Sequence, residues 1–585
     1  MAEPINPLRR CEAGMTRMGF AFIIGVTLLA VVSPYLGIPD WTPALATISA
    51  LSAVSLMGLN LIFGYCGMLV LGQAAFGAVA SYACIMVFNA GAPSLVAIAV
   101  GFVAAIAAAR LLAEIFIRLP GIYLAVGTLG FAYVTEGLIR ALPGITGGAS
   151  GLVLGSQFKL TDNAWYAIAV AVLFVAVLSM HWLLSGKLAR SLQLLQRDEM
   201  AAEVAGIDVA RLKIRMFVIG AAYTAAGAVV LSQYVGVVSP EMGGATTSLE
   251  YLAMVIIGGA GSLMGPLVGS VIVHWLFAAS GAAHEYELLI FGFCFLIIVL
   301  FAPRGVVGLI HRVSAQLGMS KLFVAGDVPA SPPLREKTEP VTLLPGGPRL
   351  TARRVTKSFG GLRAVNAVSL SVRAGEVVAL LGPNGAGKST FFNLLSGIEA
   401  VDSGEILLGA EDITRYPIHR RSLLIGRSFQ VPRLVGDMTV LQNLLVRVDQ
   451  LLPDKSEEAR LSIAMHQLQL FDLEAFARIP VQEIAIGLHK LIDFARAAVG
   501  DPPAVLLDEP GVGLSPEELV KLRTNIEKLK ARGTAIVIVD HNIEFILSVS
   551  DKILVMESGA PISLGSPTEV LADQQVQRAY LGAFA

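Results

Sequence analysis

Between Asp40 and Arg110 the chain runs for 69 residues without a single Asp, Glu, Lys or Arg. A water-soluble fold has no use for so long an uncharged stretch, whereas a bilayer core demands ~20 apolar residues per helical crossing, so two to three crossings fit here. The composition agrees: 55% of residues are hydrophobic and 15% charged, against about 25% charged in ordinary globular chains, and mean hydropathy is +0.71. Surface-to-volume scaling leaves no room to bury that excess in a soluble core. The charge is also uneven, because residues 1–310 hold only 14 of the 43 Lys/Arg and 14 of the 44 Asp/Glu. The two halves are built for different solvents, and 585 residues are enough for several domains.

Other classes drop out quickly. Net charge is −1 and no basic patch alternates with aromatics, so a nucleic-acid reader is excluded. Cys11, Cys66, Cys84 and Cys294 have no metal or redox spacing and read as small hydrophobes or free thiols. Arg9, Arg10 and Arg17 precede an apolar run over 19–38 that imitates a signal peptide. Its length and the spans that follow at once mark it as a retained crossing.

Apolar windows fall near 19–38, 43–63, 68–88, 93–117, 121–141, 163–184, 214–238, 249–277 and 284–302. Cationic loops stay on the cytoplasmic side, and the loop 185–215 carries Lys187, Arg190, Arg197, Arg211, Lys213 and Arg215. The loops around Asp40, Thr146 and Glu241 are nearly neutral and are placed outside. With the N-terminus inside, six crossings return the chain to the cytoplasm at that loop. Three more would strand the polar half outside, so one window is not a simple span. Gly258-Gly259-Ala260-Gly261-Ser262 and Gly265-Pro266 interrupt 249–277 and predict a broken or re-entrant helix pair. One long helix with glycines for close packing is the alternative.

Within the inner loop, Glu199-Met200-Ala201-Ala202-Glu203-Val204-Ala205-Gly206-Ile207 predicts a short rigid helix suited to docking into a groove. The stretches Gly58-Leu59-Asn60-Leu61-Ile62-Phe63-Gly64-Tyr65, Leu71-Gly72-Gln73-Ala74-Ala75-Phe76-Gly77, Gly121-Ile122-Tyr123, Thr146-Gly147-Gly148 and Ile257 through Pro266, in that order, resemble one permease subunit of the branched-chain amino acid ABC importers over most of 40–310. The resemblance implies that Ala202, Glu203, Ala205, Gly206 and Ile207 form the coupling helix that seats on the ATPase.

After Pro303 the hydropathy collapses, and 312–348 contains Pro329, Pro332, Pro333, Pro340, Pro345 and Pro348, a semi-rigid tether. From 349 to 585 apolar β runs alternate with helices, an α/β pattern. Its centre is the buried-strand run Gly375–Leu381 followed by Gly382-Pro383-Asn384-Gly385-Ala386-Gly387-Lys388-Ser389-Thr390 and an apolar helix. In this G-x-x-x-x-G-K-S spacing, glycines let backbone N–H groups curl around phosphates, Lys388 reaches the β- and γ-phosphates, and the Ser389 hydroxyl binds Mg²⁺. A second strand, Ala504–Leu507, ends in Asp508 and Glu509. Asp508 is placed to hold Mg²⁺ through water and Glu509 to polarise an attacking water, the alternative being carboxylates that merely cap a strand end. A third strand, Thr534–Val539, delivers Asp540 and His541 to the same sheet edge, where ligands of open α/β sheets collect.

These elements resemble the ABC-type ATPase, in particular the ATP-binding subunits of the same importers. The resemblance implies that Phe359 stacks on adenine, that Gln430 meets Mg²⁺ and water, and that His541 is the switch histidine. One departure is the signature: a Ser and a Gln usual in the family are missing from Ile484-Ala485-Ile486-Gly487-Leu488, though Gly487 still begins a helix. A second is Ser515, which stands where ABC proteins often have Asp.

The expected architecture is thus a polytopic α-helical membrane domain of about eight to ten spans over 1–311, one of them broken or re-entrant. A Pro-rich linker over 312–348 and an α/β P-loop ABC-type ATPase domain over 349–585 follow. The expected function is ATP-driven import of a branched-chain amino acid or related small polar solute across the bacterial inner membrane. ATP and Mg²⁺ serve as cofactors, and the implied partners are a second permease, a second ATP-binding subunit and an extracytoplasmic solute-binding protein. A half-size exporter and a membrane-anchored regulatory ATPase are the rival readings. Both fit worse, because eight or more short spans with one docking loop differ from six long helices with large cytosolic extensions.

Overall fold

The computed structural model describes residues 43–155, 160–279, 287–316 and 348–581; the expected span at 19–38, Cys11 and most of the linker lie outside them. The chain separates into two compact units, Met1–Gln196 with Ala210–Asp327, and Arg197–Val209 with Val328–Ala585.

In the first unit, six helices are long and apolar enough to cross a membrane among the described residues. Its helices are α1 (Pro43–Leu59, prolonged by a π-helical turn Asn60–Tyr65), α2 (Gln73–Asn89), α3 (Ser94–Phe116), α4 (Ile122–Ala141), α5 (Asp162–Leu183), α6 (Lys187–Arg197), α8 (Val209–Val235), α9 (Ala245–Gly258), α10 (Gly265–Ala279), α11 (Glu287–Phe301) and α12 (Gly305–Gln316), with α7 (Glu199–Val204) belonging to the second unit. Helix α3 shows how composition dictates packing. Its buried positions Ala97, Gly101, Ala105, Ala109 and Ala113 recur every fourth residue, a seam of small side chains that lets α2 approach closely. Leu95, Val103, Leu111 and Ile115 on the other side are exposed, as side chains meant for lipid are. A two-residue ladder, β1 (Leu152–Val153) on β2 (Val237–Val238), joins the loop after α4 to the loop after α8, both assigned to the outer side by charge.

The run 249–277 is broken. Helices α9 and α10, 14 and 15 residues long, rise only about 21–23 Å each, short of a ~30 Å hydrocarbon core. They lie back to back as an antiparallel pair: a Cβ on Gly258 would stand 1.9 Å from the Gly265 carbonyl oxygen, and one on Gly269 would stand 1.9 Å from that of Met254. The loop between them finds its hydrogen bonds in protein. The buried Asn60 amide donates to the Ser262 carbonyl at 2.8 Å and accepts from the Gly261 N–H at 2.8 Å. Irregular backbone at membrane depth requires this kind of satisfaction. A single long helix is ruled out. The window at 68–88 also changes, since α2 starts only at Gln73. The Leu71 N–H donates to Thr128 Oγ1 (3.0 Å) and the Ala74 N–H to Ser248 Oγ (3.3 Å), so side chains replace the missing helical bonds.

The second unit contains a six-stranded sheet ordered β12-β11-β5-β10-β9-β8 and a four-stranded sheet ordered β4-β3-β6-β7. The strands are β3 (Pro348–Phe359), β4 (Leu362–Arg373), β5 (Val377–Leu381), β6 (Ser403–Leu408), β7 (Glu411–Asp412), β8 (Ile425–Arg427), β9 (Ala504–Asp508), β10 (Ala535–Val539), β11 (Lys552–Glu557) and β12 (Ala560–Gly565). The central strands are parallel and buried on both faces, which explains their unbroken apolar runs. Val377, Ala379, Leu381, Val505, Leu507, Ile536 and Ile538 enter one core, and the alternate Val378, Leu380, Leu506, Val537 and Val539 enter the other. The period of two assigns each side chain to its face. Register sets Val539 opposite both Leu380 and Asp508, so the three motif-bearing strands end at one edge.

Candidate active site

Helix α13 (Lys388–Ser396) starts directly after the phosphate loop, with Gly387 as its N-cap at φ +92°. A Cβ there would stand 2.2 Å from the Ala364 carbonyl oxygen, so only glycine fits. Lys388 is buried, and its Nζ donates to the Gly382 and Pro383 carbonyls at 2.6 and 2.9 Å. Burial lowers its pKa, partly countered by Glu509. Asn384, Gly385 and Ser389 are exposed, Thr390 is half-buried, and Ala386 packs in the core below. This gives an open bowl of backbone N–H groups at a helix N-terminus, which favours anions.

Across the sheet edge, the Glu509 carboxylate accepts from Gln430 Nε2 at 2.8 Å and lies 3.0 Å from His541 Nε2. Three residues separated by up to 111 positions in sequence are thus brought together. Asp508 is the last residue of β9; burial pushes its pKa up, while Arg427, 3.4 Å away, pulls it down. Asp540 is buried and holds the Gly511 N–H at 2.8 Å and the Asn542 N–H at 2.9 Å, so it braces the loops that carry Glu509 and His541. Phe359 closes β3 at the surface, 46% exposed, with Lys357 Nζ 5.3 Å from its ring centroid.

Two groups that motif spacing did not single out complete the edge. Arg427 is buried at the end of β8, lies over the rings of Phe392 and Phe429, and bonds Asn393 Oδ1 at 2.8 Å and the Ser396 hydroxyl. Burial lowers its pKa to about 10, and it stays charged at neutral pH. Lys490, on α17 (Ile486–Ala497), donates to the Glu509 carbonyl at 2.6 Å. Arg427 ends the short strand Ile425–Arg427, and Lys490 shares its helix with His489, Asp493 and Arg496, so neither stood out by local pattern.

The signature segment opens α17. Ala485 is its N-cap without a side-chain hydrogen bond, Ile484 is buried, Ile486 is 83% exposed, and Gly487 and Leu488 are half-buried. Ser515 caps the helix α18 (Pro516–Ala531) in a capping box with Glu518.

The inner-loop helix α7 also sits in this unit. Asp198 caps it by accepting from the Ala201 N–H at 2.9 Å. Its carboxylate also takes Arg433 at 2.5 Å, while Arg197 pairs with Asp437 at 2.8 Å. Ala202, Ala205, Gly206 and Ile207 are buried. The Glu203 carbonyl accepts from the Ser422 hydroxyl at 3.0 Å on α14 (Ile418–Leu424), and a Cβ at Gly206 would stand 2.5 Å from Leu423. Arg433 lies 5.0 Å from the Phe429 ring, the neighbour of Gln430. The groove that receives the loop helix is therefore in the same chain.

Among the described residues no cluster of three His, Cys, Asp or Glu could hold a metal alone. Ser389, Gln430 and Asp508 carry oxygen donors of the kind that suits a hard cation held mainly by nucleotide phosphates, as Mg²⁺ is.

The family described as "branched-chain amino acid transport system / permease component" matches residues 43–299, and the family "ABC transporter" matches 365–512. The lipopolysaccharide export system ATP-binding protein LptB of Escherichia coli (strain K12) is 37% identical over 234 residues, covering 40% of this chain and 97% of the relative. The high-affinity branched-chain amino acid transport ATP-binding protein BraF of Pseudomonas aeruginosa is 35% identical over 250 residues, 40% of this chain and 98% of its own length. A crystal structure of a nucleotide-free ATP-binding cassette from an ABC transporter aligns over 40% of this chain and 98% of its own at 29% identity and TM-score 0.37. The chain is a membrane-embedded ATP hydrolase that belongs to the ABC transporter family, a permease component of the branched-chain amino acid type fused to its ATP-binding cassette.

Proposed function

We propose that this chain is the fused permease–ATPase subunit of a bacterial inner-membrane importer for branched-chain amino acids or related small polar solutes. The carrying observation is the permease match over 43–299, the half that solute must cross. A fused transporter subunit works in a complex, and its partners here are a second permease, a second ATP-binding subunit and an extracytoplasmic solute-binding protein.

In this reading ATP binds with adenine on Phe359 and its phosphates over Gly382–Thr390. Lys388 leaves the Gly382 and Pro383 carbonyls for the phosphates. Ser389, Gln430 and Asp508 would hold Mg²⁺, whose chemistry there would be to neutralise phosphate charge. Glu509 takes the proton of the attacking water as general base. Gln430 and His541, on its two carboxylate oxygens, orient it and sense the γ-phosphate. Nucleotide-driven closure reaches the membrane half through Ala202–Ile207, since the Gln430 segment and the loop helix share Arg433.

The likeness to an export-system ATPase supports a second reading, an assembly that moves substrate outward. Reconstitution separates the two. Import predicts ATP hydrolysis in vesicles stimulated by a solute-binding protein and uptake of the solute that this protein carries, identified by mass spectrometry. Hydrolysis indifferent to every co-purifying binding protein would overturn the import reading.

A further inference from the structure

Glu509 has an unusual backbone. Its φ is +45°, a left-handed conformation that non-glycine residues avoid, and Pro510 follows it, which steers the preceding residue toward extended geometry. Such strain persists only where neighbours over-determine it. Two contacts do so. The Glu509 N–H donates to the Val539 carbonyl at 2.7 Å, and the Glu509 carbonyl accepts from Lys490 Nζ at 2.6 Å. With both peptide groups pinned, the carboxylate falls between Gln430 and His541.

We infer that Lys490 is a positioning residue for hydrolysis, holding Glu509 in its left-handed conformation from the helix that also presents the signature segment. Without the ammonium, only a long bond from the Val512 N–H, at 3.4 Å, holds the carbonyl side, and the Glu509–Pro510 peptide relaxes toward ordinary φ and swings the carboxylate off its two partners. Lys490 is half-buried; burial lowers its pKa, and Asp540, Glu509 and Asp508 oppose that fall. Charge-assisted hydrogen bonds of this kind are the strong ones. Because α17 opens at Ala485–Gly487, any displacement of the signature moves the anchor of the hydrolytic carboxylate.

The inference rests on Glu509 being the general base, and the test keeps the two apart. In the full-length chain, purified with the subunits that accompany it, Lys490→Met is expected to lower kcat about ten- to a hundredfold. KM for ATP and equilibrium ATP binding in EDTA stay within about twofold. Lys490→Arg, which keeps a charged donor, restores most of the turnover. In the Glu509→Gln background, Lys490→Met adds no further loss. Wild-type kcat for Lys490→Met overturns the inference, as does a loss that Lys490→Arg fails to rescue or that adds fully to Glu509→Gln. Should Lys490→Met not fold, Lys490→Gln serves with the same expected ordering below Lys490→Arg. Full turnover by Glu509→Gln alone would instead remove the general-base reading.

Discussion

At the scale of residues, chemistry concentrates on the carboxylates that end β9. Glu509→Gln is expected to keep ATP binding and cut turnover by about 10²–10⁴, the range for a general base, measured as single-site hydrolysis. Lys388→Ala removes a cation facing the triphosphate, so equilibrium ATP affinity should fall; undiminished affinity would contradict the phosphate-loop assignment. Asp508 behaves oppositely toward stability and activity. Burial raises its folded pKa, so its contribution to stability is fully present below the unfolded carboxylate pKa and is lost as pH rises through the raised folded value. Asp508→Asn should therefore stabilise the nucleotide-free protein at neutral pH by about 1 kcal/mol, with the gain vanishing in acid, while Mg²⁺-dependent hydrolysis collapses. Thermal melts across pH check the sign. The phosphate loop was legible because its residues are contiguous, and the Lys490 contact was not, because it joins a helix to a carbonyl 19 positions away.

Elements carry the topology and the coupling. Because α9 and α10 fold back on each other, cysteines placed near Leu249 and near Ala278 should both be labelled from the outer side by an impermeant reagent. Labelling of one end alone would contradict the hairpin. The glycines that break this run were visible in sequence. The Asn60 amide that satisfies the loop was not, since its partners Gly261 and Ser262 lie about 200 residues away. At the loop helix, Asp198→Arg or Arg433→Asp alone sets like charges together and should lower solute moved per ATP hydrolysed several-fold. The double exchange should recover it. The direct energy is modest, about 1 kcal/mol or less for a partly exposed pair, so the readout is the transport ratio rather than stability. A double exchange no better than its parents would deny the pair a role in coupling.

For the whole molecule, the degenerate signature sets the expectation. On the proposed reading each nucleotide of an ABC dimer is shared between one phosphate loop and the opposite signature, which would set Ala485 against the partner's ATP. The lost hydroxyl forfeits a charge-assisted hydrogen bond of roughly 1.5–3 kcal/mol, and Ala485→Ser should raise turnover at the partner's site. A fully active homodimer with two equivalent sites would contradict this asymmetry. Sequence alone marked the apolar helices of the membrane half, the break at Gly258–Pro266 and the motifs of the ATPase, because hydrophobicity, glycine and phosphate-loop spacing act locally along the chain; of the nine apolar windows, 19–38 lies outside the described residues, among which six helices are long and apolar enough to cross a membrane. Tertiary structure alone decided that α2 begins at Gln73, that the 197–209 loop belongs to the cassette unit, and that Gln430 and His541 meet on Glu509 with Lys490 behind it. Those outcomes depend on strand register and on hydrogen bonds between residues far apart, and no local pattern in the sequence encodes such distances.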